Sequence, residues 1–303
     1  MTRLIVRLCA LVLAVVAPAR AQGLLVLQSD FGTRDGAVAS MKGVAMGVDA
    51  SLRIHDLTHQ IEPFDIWEGA YRLRQVTPFW PSGTVIVSIV DPGVGTARLG
   101  VVARTKGGLL IVTPDNGTLT LIADDVVEVR EIDVARQRLP GSERSHTFHG
   151  RDVFAYLGAR LASGKVRFED VGPSRGTQMV KLPVPQPMRA NGVLSGMIAM
   201  IDRPYGNLWT NIPAAMVDSM GFKVGDTLAV TIRHDGLVVA RSPRVPFAES
   251  FGFAKVGEPV AYLNSLLELA IALREGNYSA RHSIGAGPGW TITVRRAGAA
   301  RTP

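Results

Sequence analysis

Short apolar runs alternate with helix-like segments along the first half of the chain, and this alternation limits the fold more than any other feature. Runs with the length of buried strands lie at residues 24–29, 52–57, 84–90, 100–104 and 109–113. Apolar residues recur at helical spacing in 35–48, 65–79 and 151–162. Asp65, with Glu68 three residues later, predicts a capping box. The alternation predicts an N-terminal α/β domain at 22–179, with a mainly parallel sheet covered by helices on both faces.

The pattern changes at residues 180–191, VKLPVPQPMRAN. Three prolines in twelve residues predict an interdomain linker. Beyond it, strand-like runs lie at residues 192–201, 207–212, 227–233, 238–242, 260–263 and 290–295. One helix is predicted at 266–274. We therefore expect a smaller, β-rich and barrel-like C-terminal domain at 192–297, followed by a tail at 298–303.

Residues 1–21 have the form of a secretory signal peptide. Two arginines precede an apolar run, and Ala19-Arg20-Ala21 supplies the small residues of a cleavage site. The alternative is a membrane anchor, but the apolar run is short for a bilayer span. The sequence thus predicts an exported, periplasmic protein with no stable membrane association after cleavage.

Cysteine content and charge exclude several kinds of site and partner for the mature protein. The only cysteine, Cys9, lies inside the predicted signal peptide, so a mature chain has no disulfide, zinc-thiolate site or cysteine nucleophile. Cleavage after Ala21 removes three arginines and lowers the formal charge from +7 to +4. No basic stripe with interleaved aromatic residues occurs, which argues against a nucleic-acid partner.

Three predicted strands end in a polar residue beside glycine: SDFG at 29–32, VDPGVG at 90–95 and TPDNG at 113–117. Each alone is explained by ordinary turn chemistry. In a parallel sheet, however, ligands bind outside the carboxyl ends of the strands. Three such turns at one edge, with Asp30 and Asp91 among them, favour a site.

Three histidines and one asparagine are further candidates for functional residues, and each also has a purely structural explanation. His149 opens the predicted helix at 151–162 and is either functional, a cap or a satisfied core group. His55 and His59 are four residues apart, but they lie where a strand runs into a loop and lack a third ligand, so we predict no metal site. Asn207, in the unusual stretch DRPYGNLWTNI, either contacts a ligand or belongs to a hairpin turn.

Six motifs carry a resemblance across nearly the whole mature chain. They are, in order, DFGTRDGAVASMKGV, THQIEPFDIWEGA, VDPGVGTAR, PDNGTLT, FHGRD and YGNLWTNI. Together they resemble the S-adenosylmethionine (SAM) hydroxide adenosyltransferases, relatives of the SAM-dependent fluorinase and chlorinase. The resemblance implies an α/β domain, a linker and a β-barrel domain. It also implies a homotrimer, with SAM bound between the N-terminal domain of one subunit and the C-terminal domain of its neighbour.

The resemblance also implies roles for individual residues. Asp91, Arg98 and His149 correspond to the catalytic Asp-Arg-His set of the hydroxide-using members. Substrate-binding positions are Asp30 for the ribose hydroxyls, Asn207 and Ser265 for the amino-acid part, and the aromatic residues Phe64 and Phe251.

The implied reaction is hydrolysis of SAM to adenosine and L-methionine by attack of water at ribose C5′, with no cofactor and no metal. One alternative is a SAM-dependent halogenase, although halogenases carry a tyrosine in place of the aspartate at position 91. The other is an exported SAM- or nucleoside-binding protein without turnover.

Overall fold

The computed structural model describes residues 23–298, so the predicted signal peptide and the end of the tail lie outside it. The first half of the chain forms a six-stranded sheet in the order β2-β1-β3-β5-β4-β6. Its strands are β1 Leu24–Ser29, β2 Arg53–Thr58, β3 Val85–Ile89, β4 Gly100–Thr105, β5 Leu110–Pro114 and β6 Val126–Glu131. Only β4 runs opposite to the others. The predicted mainly parallel sheet is confirmed.

Helices cover both faces of this sheet. They are α1 Ala37–Val48, α2 Ile66–Val76, α3 Val134–Gln137 and α4 Tyr156–Ala162. Alternate residues of β1 face opposite clusters, because Leu25 and Leu27 pack with α1 and α4 while Val26 packs with Leu73 of α2. The helix predicted at 151–162 is present, but its first part, Gly150–Ala155, is a wider π-helical turn.

The predicted capping box at the start of α2 is only half confirmed. The Asp65 carboxylate caps the helix by accepting from the Glu68 N–H at 2.8 Å. The Glu68 carboxylate does not return to Asp65. It accepts instead from the Glu62 N–H at 3.2 Å and from Arg203 Nη2 at 2.8 Å. The charge-assisted hydrogen bonds between the buried Glu68 carboxylate and the half-exposed Arg203 explain why Glu68 leaves its expected partner.

The second half of the chain forms a nearly closed antiparallel barrel. Its strands are β7 Met188–Ala190, β8 Val193–Asp202, β9 Asn207–Pro213, β10 Thr227–His234, β11 Leu237–Pro246, β12 Pro259–Leu263, β13 Glu268–Leu273 and β14 Trp290–Arg296. They lie in the order β11-β10-β14-β8-β9-β13-β12, with β7 beside β8. A bridge between Phe247 and Ala261 brings the two ends of this sheet together. Two short helices, α5 Ala214–Ser219 and α6 Tyr278–His282, complete this half.

The helix predicted at 266–274 is wrong, because this segment contains β13. The strand lies between β9 and β12, and every residue of it is buried. Leu269 and Ile271 belong to one apolar cluster, whereas Ala270 and Ala272 belong to another. A strand buried on both faces loses its polar alternation, and a short apolar run of this kind has no period that separates strand from helix.

Helix α2 joins the two halves of the molecule. The Trp67 indole N–H donates to the Ala199 carbonyl at 2.7 Å, and the Tyr71 ring lies 6.4 Å from that of Trp209. Arg74 forms an ion pair with Glu268 at 2.9 Å. Trp67, Tyr71 and Trp209 are almost completely buried and belong to one apolar cluster. The α/β half and the barrel therefore share an apolar interface. Among residues 23–298, no helix is long and apolar enough to cross a membrane.

Candidate active site

Strands β1, β3 and β5 are parallel neighbours, so their carboxyl ends meet at one edge of the sheet. The three polar turns identified in the sequence follow these strands, and the turns after β3 and β5 contact each other. The Asn116 side-chain amide donates to the Val90 carbonyl at 2.8 Å, and the Asp115 N–H donates to the Leu99 carbonyl at 2.9 Å. The turn after β5 therefore supports the loop that carries Asp91.

Asp91 and Arg98 form a buried ion pair within that loop. Arg98 Nη2 lies 2.5 Å from Asp91 Oδ2, and the two side chains are only 11% and 5% exposed. Arg98 Nη1 also donates to the Leu99 carbonyl, and the guanidinium lies 5.3 Å from the centre of the Phe154 ring. Asp91 Oδ1 is buried and has no hydrogen-bond partner among residues 23–298. One carboxylate oxygen is thus fixed by arginine, and the other is available to accept a proton.

The surroundings make Asp91 a better proton acceptor than an ordinary aspartate. Burial raises the pKa of Asp91, the charge and hydrogen bond of Arg98 offset only part of this effect, and the negative charge of Asp30 adds to it. Because a base of higher pKa binds a proton more strongly, this shift suits general-base chemistry.

His149 lies immediately before the π-helical turn, close enough to Arg98 for the guanidinium charge to act on the imidazole. Burial lowers the pKa of His149, and the positive charges of Arg138 and Arg98 lower it further, so the imidazole is neutral at pH 7. Gly95 allows the two loops to approach. A Cβ atom at position 95 would lie only 2.8 Å from the His146 carbonyl oxygen, and the backbone there has a φ of +78°, which favours glycine.

Asp30 and Phe64 are also brought together. Asp30 Oδ2 accepts from the Phe64 N–H at 2.9 Å. Phe64 has a φ of +71°, in a region that phenylalanine rarely adopts, and 71% of the residue is exposed. Such a conformation costs about 1–3 kcal/mol and is characteristic of binding sites. An exposed aromatic ring is therefore held beside a carboxylate.

The three C-terminal candidates line a separate cavity of about 930 Å³ at the barrel. Asn207, Phe251 and Ser265 lie in its wall. Asn207 is almost completely buried, and its amide donates to Asp202 Oδ2 at 3.1 Å. Gly206 allows close approach of Asn277, whose side chain a Cβ at this position would overlap.

The eight candidate residues therefore form two groups within the chain. Asp30, Phe64, Asp91, Arg98 and His149 gather at the sheet edge, and none of them lines the cavity that contains Asn207, Phe251 and Ser265. Each group is chemically incomplete by itself. The first contains Asp30 and Asp91 but lies outside the cavity, and the three candidates of the second line the cavity but include no titratable side chain.

Sequence reasoning missed several polar residues of the cavity, among them Asp202 and Asn264. Asp202 pairs with Asn207 across the β8–β9 hairpin, so the turn signal PYG could have placed the two side by side. Asn264 Nδ2 is buried without a partner in the described part of the chain, and no sequence signal marks it. Within residues 23–298, no three potential ligands converge in a way that could hold a metal ion.

Comparisons with known proteins agree with both halves of this architecture. The family profile described as the SAM hydroxide adenosyltransferase N-terminal domain matches residues 25–172, and the corresponding C-terminal domain profile matches residues 196–291. The crystal structure of an uncharacterized conserved protein from Thermotoga maritima superimposes with a TM-score of 0.80 and 31% identity. It covers 90% of this chain and all of that one.

Curated relatives carry two names. A fluorinase from Actinoplanes sp. is 30% identical over 92% of this chain and 100% of its own. An (R)-S-adenosyl-L-methionine hydrolase from Methanocaldococcus jannaschii is 35% identical over 70% of this chain and 74% of its own. Overall identity does not separate the two activities, so the choice between them rests on the residues at the site.

Proposed function

Because the chain belongs to the SAM hydroxide adenosyltransferase family, we propose that it is a hydrolase that converts SAM to adenosine and L-methionine. One observation carries this assignment. The Asp91 carboxylate is held by Arg98 through one oxygen, while its other oxygen is buried and without a partner among the described residues. Water needs such a proton acceptor during attack, whereas a halide ion does not.

The proposed step is an in-line displacement. Water bound to Asp91 Oδ1 attacks ribose C5′, a C5′–O bond forms, and the C5′–S bond breaks. The bonding electron pair leaves with sulfur, which turns the sulfonium into the neutral thioether of methionine. The proton of the water passes to Asp91, directly or through neutral His149. Because the departing group is already cationic, it needs neither a general acid nor a Lewis acid.

Positioning supplies much of the proposed rate enhancement. Arg98 fixes the orientation of the Asp91 carboxylate, and alignment of water with the C5′–S bond lowers the entropic barrier. Asp30 binds the ribose hydroxyls, and its bond to the Phe64 N–H sets its direction. Asn207 and Ser265 bind the amino-acid part of SAM, with Phe251 beside the substrate.

We further propose that the active enzyme is a homotrimer whose sites lie between subunits. The separation of the candidates into two incomplete groups supports this arrangement. In a ring with heterologous interfaces, the sheet edge of one subunit faces the barrel of the next. Each site then combines the base of one chain with the pocket of its neighbour.

A SAM-dependent halogenase is the second candidate, favoured by the fluorinase relative. The Asp91 carboxylate argues against it. Two unit negative charges 4 Å apart repel by about 4 kcal/mol at an effective dielectric constant of 20. Burial of the carboxylate strengthens this repulsion, so the site disfavours a bound halide.

Product analysis tests the function directly. The protein is incubated with SAM and chloride, using separate (R) and (S) preparations because the relative's name specifies the (R) form. We expect adenosine and methionine in equal amounts. Substantial 5′-chloro-5′-deoxyadenosine would support the halogenase, and adenosine binding without methionine release would support a non-catalytic binding protein.

The pH dependence of kcat/KM follows from the surroundings of Asp91 and His149. Both groups must be unprotonated to accept the proton, so kcat/KM falls as the pH falls through their pKa values. Arg98 lowers the pKa of both groups. We therefore expect Arg98→Met to move the acid limb to higher pH, in a profile measured from pH 4 to 9. The control, Arg104→Met, removes the ion pairs of Arg104 with Glu128 and Glu169 and should leave the limb in place.

The N-terminal segment supports a proposal about location. Residues 1–21 match a signal peptide, and we propose export to the periplasm with cleavage after Ala21. The mature enzyme then acts on SAM that reaches this compartment.

A further inference from the structure

A chain of hydrogen bonds runs from the sheet edge to the surface beside the candidate active site. Ser29 Oγ lies 2.7 Å from His59 Nδ1, and His59 Nε2 lies 3.1 Å from Asp56 Oδ1. Asp56 Oδ2 then accepts from Lys42 Nζ at 2.7 Å. Ser29 and His59 are buried, whereas Asp56 and Lys42 are partly exposed. The proposed reaction uses none of these four side chains.

The partners fix the direction of each hydrogen bond. Partial burial opposes ionisation of Asp56, but hydrogen bonds from Lys42 and His59 outweigh it and lower the pKa of this carboxyl group. An ionised carboxylate can only accept, so His59 Nε2 carries a proton. Burial lowers the pKa of His59, which keeps the ring neutral. His59 Nδ1 is then an acceptor, and the Ser29 hydroxyl donates to it.

This arrangement contains the residue types of a nucleophilic triad, but Ser29 cannot serve as the nucleophile. Its side chain is fully buried, and its Oγ receives the Phe31 N–H at 3.3 Å. A substrate carbon cannot reach an oxygen that is enclosed in this way. The chain of bonds therefore has a positioning function.

Hydrogen bonds to Ser29 and His59 fix the backbone on both sides of Asp30. Ser29 Oγ accepts from the Phe31 N–H across Asp30, and the His59 carbonyl accepts from the Gly32 N–H at 2.7 Å. His59 thus contacts this turn twice, through its ring and through its backbone. Asp30 lies between the fixed residues, which limits the directions that its carboxylate can take.

The same turn also touches the segment that carries His149. The Phe31 ring packs edge-on against Phe148, with 5.7 Å between ring centres. It also lies so close to Gly150 that a Cβ atom there would be 3.0 Å from the ring. A shift of the turn after β1 is therefore transmitted to both neighbours of His149.

We propose that His59 is a positioning residue that orients Asp30 toward the ribose of the substrate and keeps the Phe31 ring against the His149 segment. This inference rests on the proposed function, because it takes Asp30 as the ribose-binding carboxylate. The role requires the Ser29–His59 bond specifically, and the Asp56 bond serves to hold the imidazole in its tautomer.

Two substitutions at the same position separate the two bonds. The amide of asparagine reaches the place of Nδ1, so His59→Asn keeps an acceptor for Ser29. The amide of glutamine reaches the place of Nε2, so His59→Gln keeps the bond to Asp56 and loses the bond to Ser29. Ser29→Ala removes the same bond, together with the acceptor of the Phe31 N–H, without enlarging any side chain, and it serves as the second variant where His59→Gln does not fold.

The measurement is the ratio of the dissociation constants for 2′-deoxyadenosine and adenosine, determined by calorimetry on the full protein. A carboxylate that binds the ribose hydroxyls makes this ratio about tenfold or more in the wild type. We expect the ratio of dissociation constants to fall below about threefold in His59→Gln and Ser29→Ala. In His59→Asn the ratio should stay within about twofold of the wild-type ratio. A residue that merely stabilises the fold weakens both ligands equally and leaves the ratio unchanged.

The outcomes distinguish this inference from the proposed function. A wild-type ratio in folded His59→Gln and Ser29→Ala overturns the role of His59, whatever the enzyme hydrolyses. A wild-type protein that discriminates between the nucleosides but releases no methionine from SAM overturns the function and leaves the role of His59 intact. Absence of discrimination in the wild type overturns the assignment of Asp30 and this inference with it.

Discussion

Replacing Asp91 by asparagine is expected to lower the turnover of SAM about a thousandfold, because removal of a general base typically costs two to four orders of magnitude. Affinity for SAM should change little, since Asp91 contacts water rather than substrate in the proposed step. Asparagine keeps an oxygen that can accept from Arg98, so the buried guanidinium retains a partner. Single-turnover kinetics and equilibrium binding of SAM measure the two effects separately.

A matched substitution controls for the loss of charge at the sheet edge. Asp115 lies in the turn after the neighbouring strand β5, is buried, and accepts from the Val180 N–H through Oδ1. Asp115→Asn keeps that acceptor, and we expect turnover within about threefold of wild type. Turnover of the Asp91→Asn variant at the level of this control would remove Asp91 from the catalytic role.

Mixing two inactive variants should restore activity if the site lies between subunits. Asp91→Asn damages the sheet edge of a chain, and Asn207→Ala damages only its barrel cavity. In every trimer that contains both chains, one of the three sites combines an intact sheet edge with an intact cavity. We therefore expect activity near a third of wild type, about a hundredfold above either variant alone.

Co-expression of two tagged chains, followed by purification on both tags, provides the mixed trimers for the assay. The control mixes Asp91→Asn with Arg98→Met. Both changes lie at the sheet edge, so no neighbour can supply an intact half and activity should not exceed that of the Arg98→Met protein alone. Failure of the first mixture to recover, with mixed assembly confirmed by mass spectrometry, would place the complete site within one chain.

Structural features that depend on neighbouring residues in the chain could be predicted from the sequence. Strands β1, β3 and β5 could be placed from their apolar runs, and the rule for parallel sheets then brings Asp30 and Asp91 to one edge. The capping role of Asp65 also follows from local bonding. These features depend on a few neighbouring residues, so a single sequence is enough to predict them.

Features that depend on distant contacts were not predictable. Strand β13 has no polar alternation, because its two faces are covered by clusters from different parts of the chain. The four-residue spacing of His55 and His59 is typical of metal ligands on a helix, but the two side chains lie in different environments. The His55 ring packs against Trp80, whereas His59 bonds to Ser29, thirty residues earlier in the chain. Neither environment can be read from the spacing.

The carboxylate of Asp91 illustrates the same limit at the site itself. Its position after β3 was predictable, but its burial, its ion pair and its unpartnered oxygen depend on the packing of Arg98 over Phe154. Burial raises the pKa of Asp91, the Arg98 ion pair offsets only part of this effect, and the result makes a turn residue suitable as a base. The chemistry therefore comes from the fold rather than from the motif.

Isotope labelling tests the central claim most directly. The protein is incubated with SAM in H₂¹⁸O, and the products are separated and weighed by mass spectrometry. Attack of water at C5′ predicts one ¹⁸O atom in adenosine, at the 5′-hydroxyl, and none in methionine. Adenosine without the label, or methionine that carries it, would contradict hydrolysis at ribose C5′.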